Sequence, residues 1–307
     1  MRTITKPAAL AALLAASALT FGQNIYTPNS SLEDQHITLK YWGSGTVAES
    51  DQLAYDGTTS IRVSSRNFFQ GGIIIFDSPI DLSQAASDRN NMFHLTIQSP
   101  GSGTTFSPRS GNQGAPGTGT DLGEGPGTTG RRGRSNYEEV TLRKVRCVIT
   151  TTDNMKSEVY IDLTSAIPTT RGWKQVGIPL ISIPGFDRTN KIIKSLAFSG
   201  DTFGTFYIGE IKIINDTTPL YVEPNVRELN LALGDEYTLF AYGSGGSTML
   251  RYTWDFNDAD GVHVDAEGIA VKRKFRKDGT YTITLTVHDA FGLKKPYSTT
   301  IKVVVNP

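Results

Sequence analysis

Short hydrophobic runs with a two-residue period recur along almost the whole chain, and they constrain its fold more than any other feature. The clearest run, TYTITLTVH at 280–288, places its aromatic and aliphatic residues on one side and its threonines and histidine on the other. Because side chains alternate between the two faces of a strand, this pattern predicts one buried and one solvated face. Similar runs bounded by Gly, Pro, Asn and Asp fill residues 30–98 and 137–214, and helical periodicity is nearly absent after the first 22 residues. The chain is therefore predicted to be all-β and built from sandwiches.

The composition allows two ordinary domains and argues against one class of partner. The chain has 307 residues, of which 38% are hydrophobic and 20% are charged, so it can pack two cores. Lysine plus arginine and aspartate plus glutamate each total 30, which makes the formal net charge zero. Without a basic excess, no net field draws the chain toward nucleic acid or an anionic membrane surface. We therefore expect no nucleic-acid partner.

The first residues have the pattern of a secretory signal peptide. Arg2 and Lys6 precede an apolar run, Ala8 to Phe21, that is rich in alanine and leucine and too short to span a bilayer comfortably. We assign residues 1–22 to the signal, with an uncleaved anchor as the alternative. No later segment is long and apolar enough to enter a bilayer. The mature chain is therefore predicted to be secreted or extracellular, including at the cell surface, without membrane insertion.

The chain has a single cysteine, so it cannot form an internal disulfide. In the segment RKVRCVIT, Val145, Cys147 and Ile149 share one face of a predicted strand and Arg146 lies on the other. This alternation directs the thiol toward the apolar side. We interpret Cys147 as a buried, unreactive residue rather than a nucleophile.

Changes in composition divide the chain into two β domains. Residues 99–136 hold 11 of the 31 glycines and few apolar side chains, so they cannot bury enough surface to offset their ordering entropy. We predict a flexible insertion between two strands, whose RRGR at 131–134 is a solvated flank or a contact for an anionic partner. Two prolines bracket a connector in NDTTPLYVEP. The predicted units are a sandwich at 23–214, a linker at 215–221 and a second sandwich at 222–307.

The stretch YTWDFNDADG at 252–261 combines a strand pattern with a cluster of acids. Tyr252, Trp254 and Phe256 share one side and belong to a core, whereas Asp255 is expected to face solvent and the remaining acids to lie in the following turn. The spacing misses the EF-hand template, because an alanine takes the fifth position and the glycine comes at the seventh. A small turn also lacks the cleft that a catalytic carboxylate pair needs. We interpret the stretch as a strand and a solvated turn, with a weak calcium site left open.

The C-terminal sequence resembles the PKD (polycystic-kidney-disease-type) domain family in three separated segments. They are WDF at 254–256, GTYTITLTVHD at 279–289 and STTIKVVV at 298–305. The resemblance covers about residues 222–307 and implies an immunoglobulin-like sandwich. The family usually continues from WDF into a compact Phe-Gly-Asp-Gly turn, whereas the turn here is longer and lacks the first glycine.

The N-terminal sandwich resembles galactose-binding-like jelly rolls, the fold of many carbohydrate-binding modules. The resemblance rests on YDGTTSIRV at 55–63, GWKQVGIPL at 172–180 and FYIGEIKI at 206–213. It implies a structural calcium ion held by Asp56 and Glu210, although a glycine precedes Glu210 where the group has its first aspartate. No other cofactor is expected.

Sugar binding by such a module needs exposed aromatic rings and polar groups for the hydroxyls. Neighbouring residues of a strand face opposite ways, so one ring of each pair, Tyr41 with Trp42 and Phe68 with Phe69, is turned outward or toward a loop. Trp42 and Phe69 are our candidate ligand-binding residues, the alternative being that these rings simply pack. Trp173 is expected in the core rather than at a ligand platform.

No catalytic motif accompanies the two predicted domains. The four histidines have no metal-ligand spacing, and the chain lacks GxSxG, HExxH and a phosphate-binding glycine loop. We predict a secreted non-catalytic protein that contacts an extracellular polysaccharide or cell-surface component through the jelly roll, with the PKD domain as spacer or second contact. The expected partner is an extracellular glycan or a surface protein. The alternatives are a structural or adhesive protein of a surface layer or extracellular matrix, and a polysaccharide lyase or glycoside hydrolase.

Overall fold

The computed structural model describes residues 20–100, 103–104, 139–140, 142–257, 259, 261 and 263–307. Over these residues the chain is all-β, which confirms the predicted fold class. None of the described segments forms a helix that is long and apolar enough to cross a membrane. The predicted signal peptide lies outside the described residues except for 20–22, and so do Asp258, Asp260 and most of the predicted insertion.

Among its described residues, the N-terminal part forms fourteen strands. They are β1 (Thr20–Tyr26), β2 (Ile37–Trp42), β3 (Thr46–Ser50), β4 (Ser60–Ser65), β5 (Gly71–Asp81), β6 (Asn91–Gln98), β7 (Gly103–Thr104), β8 (Glu139–Val140), β9 (Lys144–Thr151), β10 (Lys156–Asp162), β11 (Ile167–Pro168), β12 (Lys174–Pro179), β13 (Ile192–Gly200) and β14 (Gly204–Asn215). Short 3-10 turns lie at Ala85–Ser87, Thr170–Gly172, Leu180–Ser182 and Phe186–Arg188.

Two antiparallel sheets enclose one core in this N-terminal sandwich. The first sheet has the order β11-β12-β6-β14-β4-β3, with β1 also paired to β14, and the second has the order β10-β9-β13-β5-β2. The small strands β7 and β8 pair with each other, with β7 inside the predicted insertion and β8 after it. Cys147 is fully buried between the sheets, as predicted, and burial raises the pKa of its thiol. The thiol is therefore protonated and shielded at neutral pH.

A β-bulge in β14 changes which side chains enter the core. Strict alternation would place Phe206, Ile208 and Glu210 on one face. The register shifts between Ile208 and Glu210, and Ile211 takes the next core position. A bulge inserts one extra residue into a strand, so every later side chain reverses its direction. Glu210 consequently lies outside the core.

The C-terminal part is a second sandwich, in which the residues that the structure describes form eight strands. They are β15 (Tyr221–Pro224), β16 (Glu228–Ala232), β17 (Glu236–Ser244), β18 (Leu250–Asp255), β19 (Ala266–Glu267), β20 (Ala270–Lys274), β21 (Gly279–Asp289) and β22 (Tyr297–Asn306). One sheet has the order β15-β17-β20 and the other β16-β22-β21-β18-β19, in which β16 runs parallel to β22. A separate hydrophobic core surrounds the fully buried Trp254.

The acidic stretch is a strand end with its turn, and one of its carboxylates is buried. The expectation that Asp255 faces solvent is wrong, because its side chain is only 3% exposed. Its Oδ1 accepts a hydrogen bond from the Asn257 N–H at 2.9 Å, and its Oδ2 accepts one from the His263 N–H at 3.0 Å. Asp255 therefore holds the two ends of the turn together, a structural use of an aspartate that needs no metal.

A buried ion pair fastens the connector to the C-terminal sandwich. Asp216 directly follows β14, and its Oδ2 lies 3.0 Å from the Lys294 Nζ. The Asp216 carboxylate also accepts hydrogen bonds from the backbone N–H groups of Thr218 and Ser247, at 2.9 and 2.7 Å. Lys294 in turn donates to the carbonyl oxygens of Thr218 and Gly245. These bonds tie the chain after β14 to the loop between β17 and β18 and to the loop before β22.

The loop between β17 and β18 also packs directly on the first sheet. Gly177 of β12 forms a parallel bridge with Thr248, and a Cβ at Gly177 would come within 2.5 Å of the Ser247 carbonyl oxygen. Met249 packs into the N-terminal core. The two sandwiches thus share a close contact, which only glycine permits at position 177. The predicted domain division at 215–221 stays a prediction.

Candidate functional site

The sequence-predicted residues Trp42 and Phe69 both lie beside Arg146 on the outer face of the second sheet. Strand register places five residues in one row across this sheet: Tyr160, Arg146, Ser199, Gly71 and Trp42. Val145 and Cys147, on either side of Arg146, belong to the core, so the row faces outward. We call Trp42, Phe68, Phe69, Arg146, Glu158 and Tyr160 the aromatic–arginine cluster.

The turn between β4 and β5 carries both phenylalanines of the cluster. Asn67 closes this turn, since its Oδ1 accepts the Phe69 N–H at 2.9 Å and its backbone bridges to Gln70. The Phe68 carbonyl oxygen accepts two further bonds, from Ser199 Oγ at 2.7 Å and from Arg146 Nη1 at 2.9 Å. The turn is therefore fixed over the sheet by side chains that rise from β13 and β9.

Arg146 is the centre of the cluster. Its guanidinium carbon lies 5.4 Å from the Trp42 ring centroid and 5.1 Å from that of Phe69, both within cation–π range. Its Nε and Nη2 donate to the two carboxylate oxygens of Glu158, at 3.0 and 2.8 Å. This fork geometry holds the arginine in one orientation, and it lowers the pKa of Glu158 and raises that of Arg146. Both groups are charged across the physiological pH range.

Part of this cluster remains open to solvent. Phe69 is 64% exposed and Tyr160 is 49% exposed, although the Tyr160 ring also packs edge-on against Phe68 at 5.2 Å. Trp42 is half-buried. A charged pair beside partly exposed rings offers both apolar faces and hydrogen-bonding groups to a ligand. The arrangement suits binding.

The two proposed calcium ligands, Asp56 and Glu210, have separate protein partners. Asp56 Oδ2 accepts a hydrogen bond from Asn29 Nδ2 at 3.2 Å, whereas Glu210 Oε1 lies 2.9 Å from Lys212 Nζ and 3.3 Å from Thr96 Oγ1. No group of three or more His, Cys, Asp or Glu side chains suited to a metal ion occurs in the described part of the chain. Calcium binding by Asp56 and Glu210 stays a prediction.

Burial, together with the nearby Lys212 charge, lowers the pKa of His94 to about 3. His94 lies 3.8 Å from Glu210 and is almost completely buried. The imidazole is therefore neutral at physiological pH, and its contact with Glu210 is not an ion pair.

Other aromatic residues that the sequence singled out lie elsewhere. Trp173 is buried, as expected, and packs edge-on against Tyr55 with ring centroids 5.6 Å apart. Tyr41 is 70% exposed, but it precedes Trp42 in β2 and points to the other side of the strand. It serves as a natural control for the cluster.

Sequence reasoning missed Arg146, Glu158 and Tyr160. The segment RKVRCVIT indicated that Arg146 lies on a polar face, but it carried no information about which strands flank β9. Pairing of β9 with β10 brings Glu158 to the arginine, and two further strands separate β9 from Trp42. The cluster exists only because five strands assemble in this order.

Comparison with known proteins assigns a family to the C-terminal sandwich. A family model described as a PKD domain matches residues 226–305. The PKD1 domain of Vibrio anguillarum Epp is 22% identical over 29% of this chain and 96% of its own, with a TM-score of 0.22. The fibronectin(III)-like modules of Clostridium thermocellum CbhA are 10% identical over 54% of this chain and 78% of theirs, with a TM-score of 0.24.

The matched range begins just before β16 and ends one residue before the end of β22. It contains all three segments that suggested the family, and Trp254 of the WDF segment is the buried centre of its core. Residues 226–305 of this chain are a PKD domain.

Proposed function

We propose that this chain is a non-catalytic extracellular binding protein that holds a polysaccharide on the aromatic–arginine cluster. The observation that carries the proposal is that Arg146 lies within cation–π range of both Trp42 and Phe69, with Phe69 still largely exposed. Exposed rings stack on the apolar faces of pyranose units, and a fixed ion pair supplies hydrogen bonds to their hydroxyls. The PKD domain, which contacts the N-terminal sandwich, serves as a spacer or second contact.

Electrostatics of the cluster favour a neutral polysaccharide. Glu158 already occupies the fork of Arg146, so the arginine is not free to recognise a carboxylate or sulfate on the ligand in the same bidentate manner. The outward-facing rings carry no charge. The proposed ligand is therefore a glycan chain bound mainly by ring stacking.

Replacing Phe69 with alanine should weaken polysaccharide binding about tenfold, because the ring loses its stacking contact with the ligand. The same loss is expected for Trp42→Ala. The weaker binding of Phe69→Ala should not come from unfolding, because the Phe69 ring is mostly exposed. Dissociation constants for the polysaccharides that a glycan array identifies with the wild-type chain would measure both changes.

Tyr41→Ala is the matched control for these variants. It removes a comparably exposed ring from the position next to Trp42 but on the other side of β2. Wild-type affinity is expected. Equal binding by wild type, Phe69→Ala and Trp42→Ala would contradict the proposal, and so would turnover of the bound glycan.

A second candidate function, that of a self-associating structural or adhesive protein, is favoured by the PKD domain surface. Tyr242 is 63% exposed on β17, and Tyr221 and Tyr297 lie nearby with their ring centroids 5.1 Å apart. Exposed aromatic patches often mark contact surfaces. Sedimentation equilibrium of wild type and Tyr242→Ser tests this candidate, which predicts concentration-dependent association that the substitution reduces.

A further inference from the structure

A concentration of positive charge lies along one edge of the PKD domain. Five of the six residues from Lys272 to Lys277 are lysine or arginine, whereas these two residue types make up 30 of the 307 residues in the whole chain. The zero net charge is a sum over all residues, so it is compatible with a strong local field. The segment forms the end of β20 and the turn that leads into β21.

Arg273 differs from the other basic residues of this segment, because it packs against the core. Its guanidinium carbon lies 4.5 Å from the ring centroid of Phe256 and 5.5 Å from that of Phe275, and both rings belong to the core of the domain. The other four cations are exposed: Lys272, Lys274, Arg276 and Lys277. We call these four residues the basic edge.

The backbone of β20 adds hydrogen-bonding groups to the basic edge. β20 is the edge strand of the sheet β15-β17-β20. The Ala241 N–H donates to the Ile269 carbonyl oxygen at 2.8 Å, which fixes the alternation of hydrogen bonds along the antiparallel pair of β17 and β20. In that alternation, the backbone N–H and C=O groups of Lys272 and Lys274 point away from β17. The edge therefore presents backbone donors between its cationic side chains.

Acidic neighbours balance this charge only in part. Lys272 Nζ lies 3.3 Å from Glu236 Oε1, and both side chains are more than half exposed. An exposed pair of this kind is weak, so the lysine can exchange its partner. Asp278 follows Lys277 in the chain and is also exposed. The four cations of the basic edge outnumber these two carboxylates.

Protection of the sheet edge explains part of this pattern. Lysine side chains on an edge strand hinder its pairing with another chain, and this accounts for Lys272 and Lys274. Arg276 and Lys277 lie beyond the end of β20, in the turn, where they protect no strand. Their addition to the same edge indicates an anionic partner.

An extended anionic chain fits this surface. Lys272 and Lys274 lie on one face of a straight strand, about 6.6 Å apart at the usual rise per residue. Acidic groups of a ligand can pair with the cations, and its hydroxyl groups can accept hydrogen bonds from the outward N–H groups.

Two other classes of anionic partner fit less well. Single-stranded nucleic acid is held largely by base stacking on aromatic rings, whereas the side chains of the basic edge are cations on flexible stems. The anionic lipids that attract basic segments are those of the cytoplasmic leaflet. The signal-peptide pattern of residues 1–22 predicts a location outside the cytoplasm. These arguments favour an extracellular polysaccharide.

We propose that the basic edge binds a linear anionic polysaccharide that carries carboxylate or sulfate groups along its chain. The basic edge belongs to the PKD domain, and the aromatic–arginine cluster, which favours a neutral glycan, belongs to the N-terminal sandwich. The inference thus goes beyond the proposed function and gives the PKD domain a ligand class of its own.

The experiment measures binding of the full chain to immobilised polygalacturonate and heparin by interferometry. Binding of at least one of them is expected at about 50 mM NaCl, with an affinity at least about tenfold weaker at about 300 mM, because salt screens exposed charges. Absence of binding to both polymers, or an affinity that salt leaves unchanged, overturns the proposal.

Two double variants locate the site. Arg276→Gln with Lys277→Gln removes two exposed charges outside the strand and should weaken binding at least about tenfold without unfolding the domain. The exchange of Arg276→Lys with Lys277→Arg keeps both charges and should bind within a few-fold of wild type. Lys295→Gln with Lys302→Gln, which removes two exposed lysines elsewhere in the PKD domain, is the matched control and should bind like wild type. Equal affinities of the first variant and this control overturn the assignment.

Further probes test the class of partner and separate this inference from the proposed function. Tighter binding of polyglutamate, single-stranded DNA or phosphatidylglycerol vesicles than of both polysaccharides overturns the assigned ligand class. Phe69→Ala should leave anionic binding unchanged, and the variant that lacks the charges of Arg276 and Lys277 should leave neutral polysaccharide binding unchanged. If only the anionic binding is absent, the basic-edge proposal is wrong and the cluster proposal stands. If only the neutral binding is absent, the reverse holds.

Discussion

Replacing Trp254 with alanine is expected to destabilise the PKD domain by about 3–5 kcal/mol, the usual cost of truncating a buried aromatic side chain. Trp254 is fully buried, lies opposite Leu285 in the neighbouring strand, and donates from Nε1 to the Gly268 carbonyl oxygen at 2.9 Å. Its removal leaves a large cavity and an unsatisfied carbonyl. Since small domains are stable by only about 5–15 kcal/mol, this loss is a large share of the domain's total stability.

Urea unfolding of the full chain, followed by circular dichroism and fluorescence, would measure the Trp254→Ala effect. Tyr242→Ala is the control, because it removes a mostly exposed ring from the same domain and should unfold close to wild type. A midpoint for Trp254→Ala that matches Tyr242→Ala would contradict its role as the core anchor. Melts of Asp258→Ala and Asp260→Ala with calcium and with chelator would test the calcium alternative for the turn.

Replacing Lys294 with methionine is expected to cost about 3–5 kcal/mol, because the buried Asp216 carboxylate would lose its only charged partner in the described contacts. Two backbone carbonyl oxygens, those of Thr218 and Gly245, would lose the same donor. The loss of stability should be greatest where the connector contacts the PKD domain. Thermal unfolding and limited proteolysis at the connector would detect it, with Lys295→Met as an exposed neighbouring control.

The same variant should change the acid stability of the protein. Burial alone would raise the pKa of Asp216, but hydrogen bonds from Ser247, Thr218 and Lys294 outweigh it and lower the folded-state pKa. Asp216 therefore contributes stability above its ordinary pKa, and that contribution is lost as pH falls through the lowered value. Without Lys294 the pKa rises, so acid destabilisation should begin at a higher pH. Identical pH profiles for wild type and Lys294→Met would contradict this account.

The PKD domain could be predicted from the sequence because its signals are local. The alternation in GTYTITLTVHD identifies a strand with one buried face, and the buried residues Ile283, Leu285 and Val287 are those the pattern selects. Trp254 could be identified in the same way. Side-chain direction in a regular strand depends only on position along that strand, so it needs no knowledge of neighbouring strands.

Two departures from regular alternation could not be predicted from the sequence pattern. The bulge in β14 reverses the direction of the side chains after Ile208. The sequence of one strand does not indicate where such an extra residue is inserted. Asp255 is buried although it follows the exposed side of the pattern, because the backbone of its own turn folds back to donate hydrogen bonds to it. Both depend on backbone conformation that departs from a regular strand, which the alternation of residue types does not describe.

The sequence by itself determined the all-β class, the PKD domain and the buried faces of its strands, since these follow from short-range periodicity and composition. Only the tertiary structure decided that Arg146 meets Trp42 and Phe69 and that Asp216 is paired with Lys294. Each of these groupings joins residues far apart in the chain. Strand order and loop packing bring them together, and neither is encoded in the alternation of any one segment.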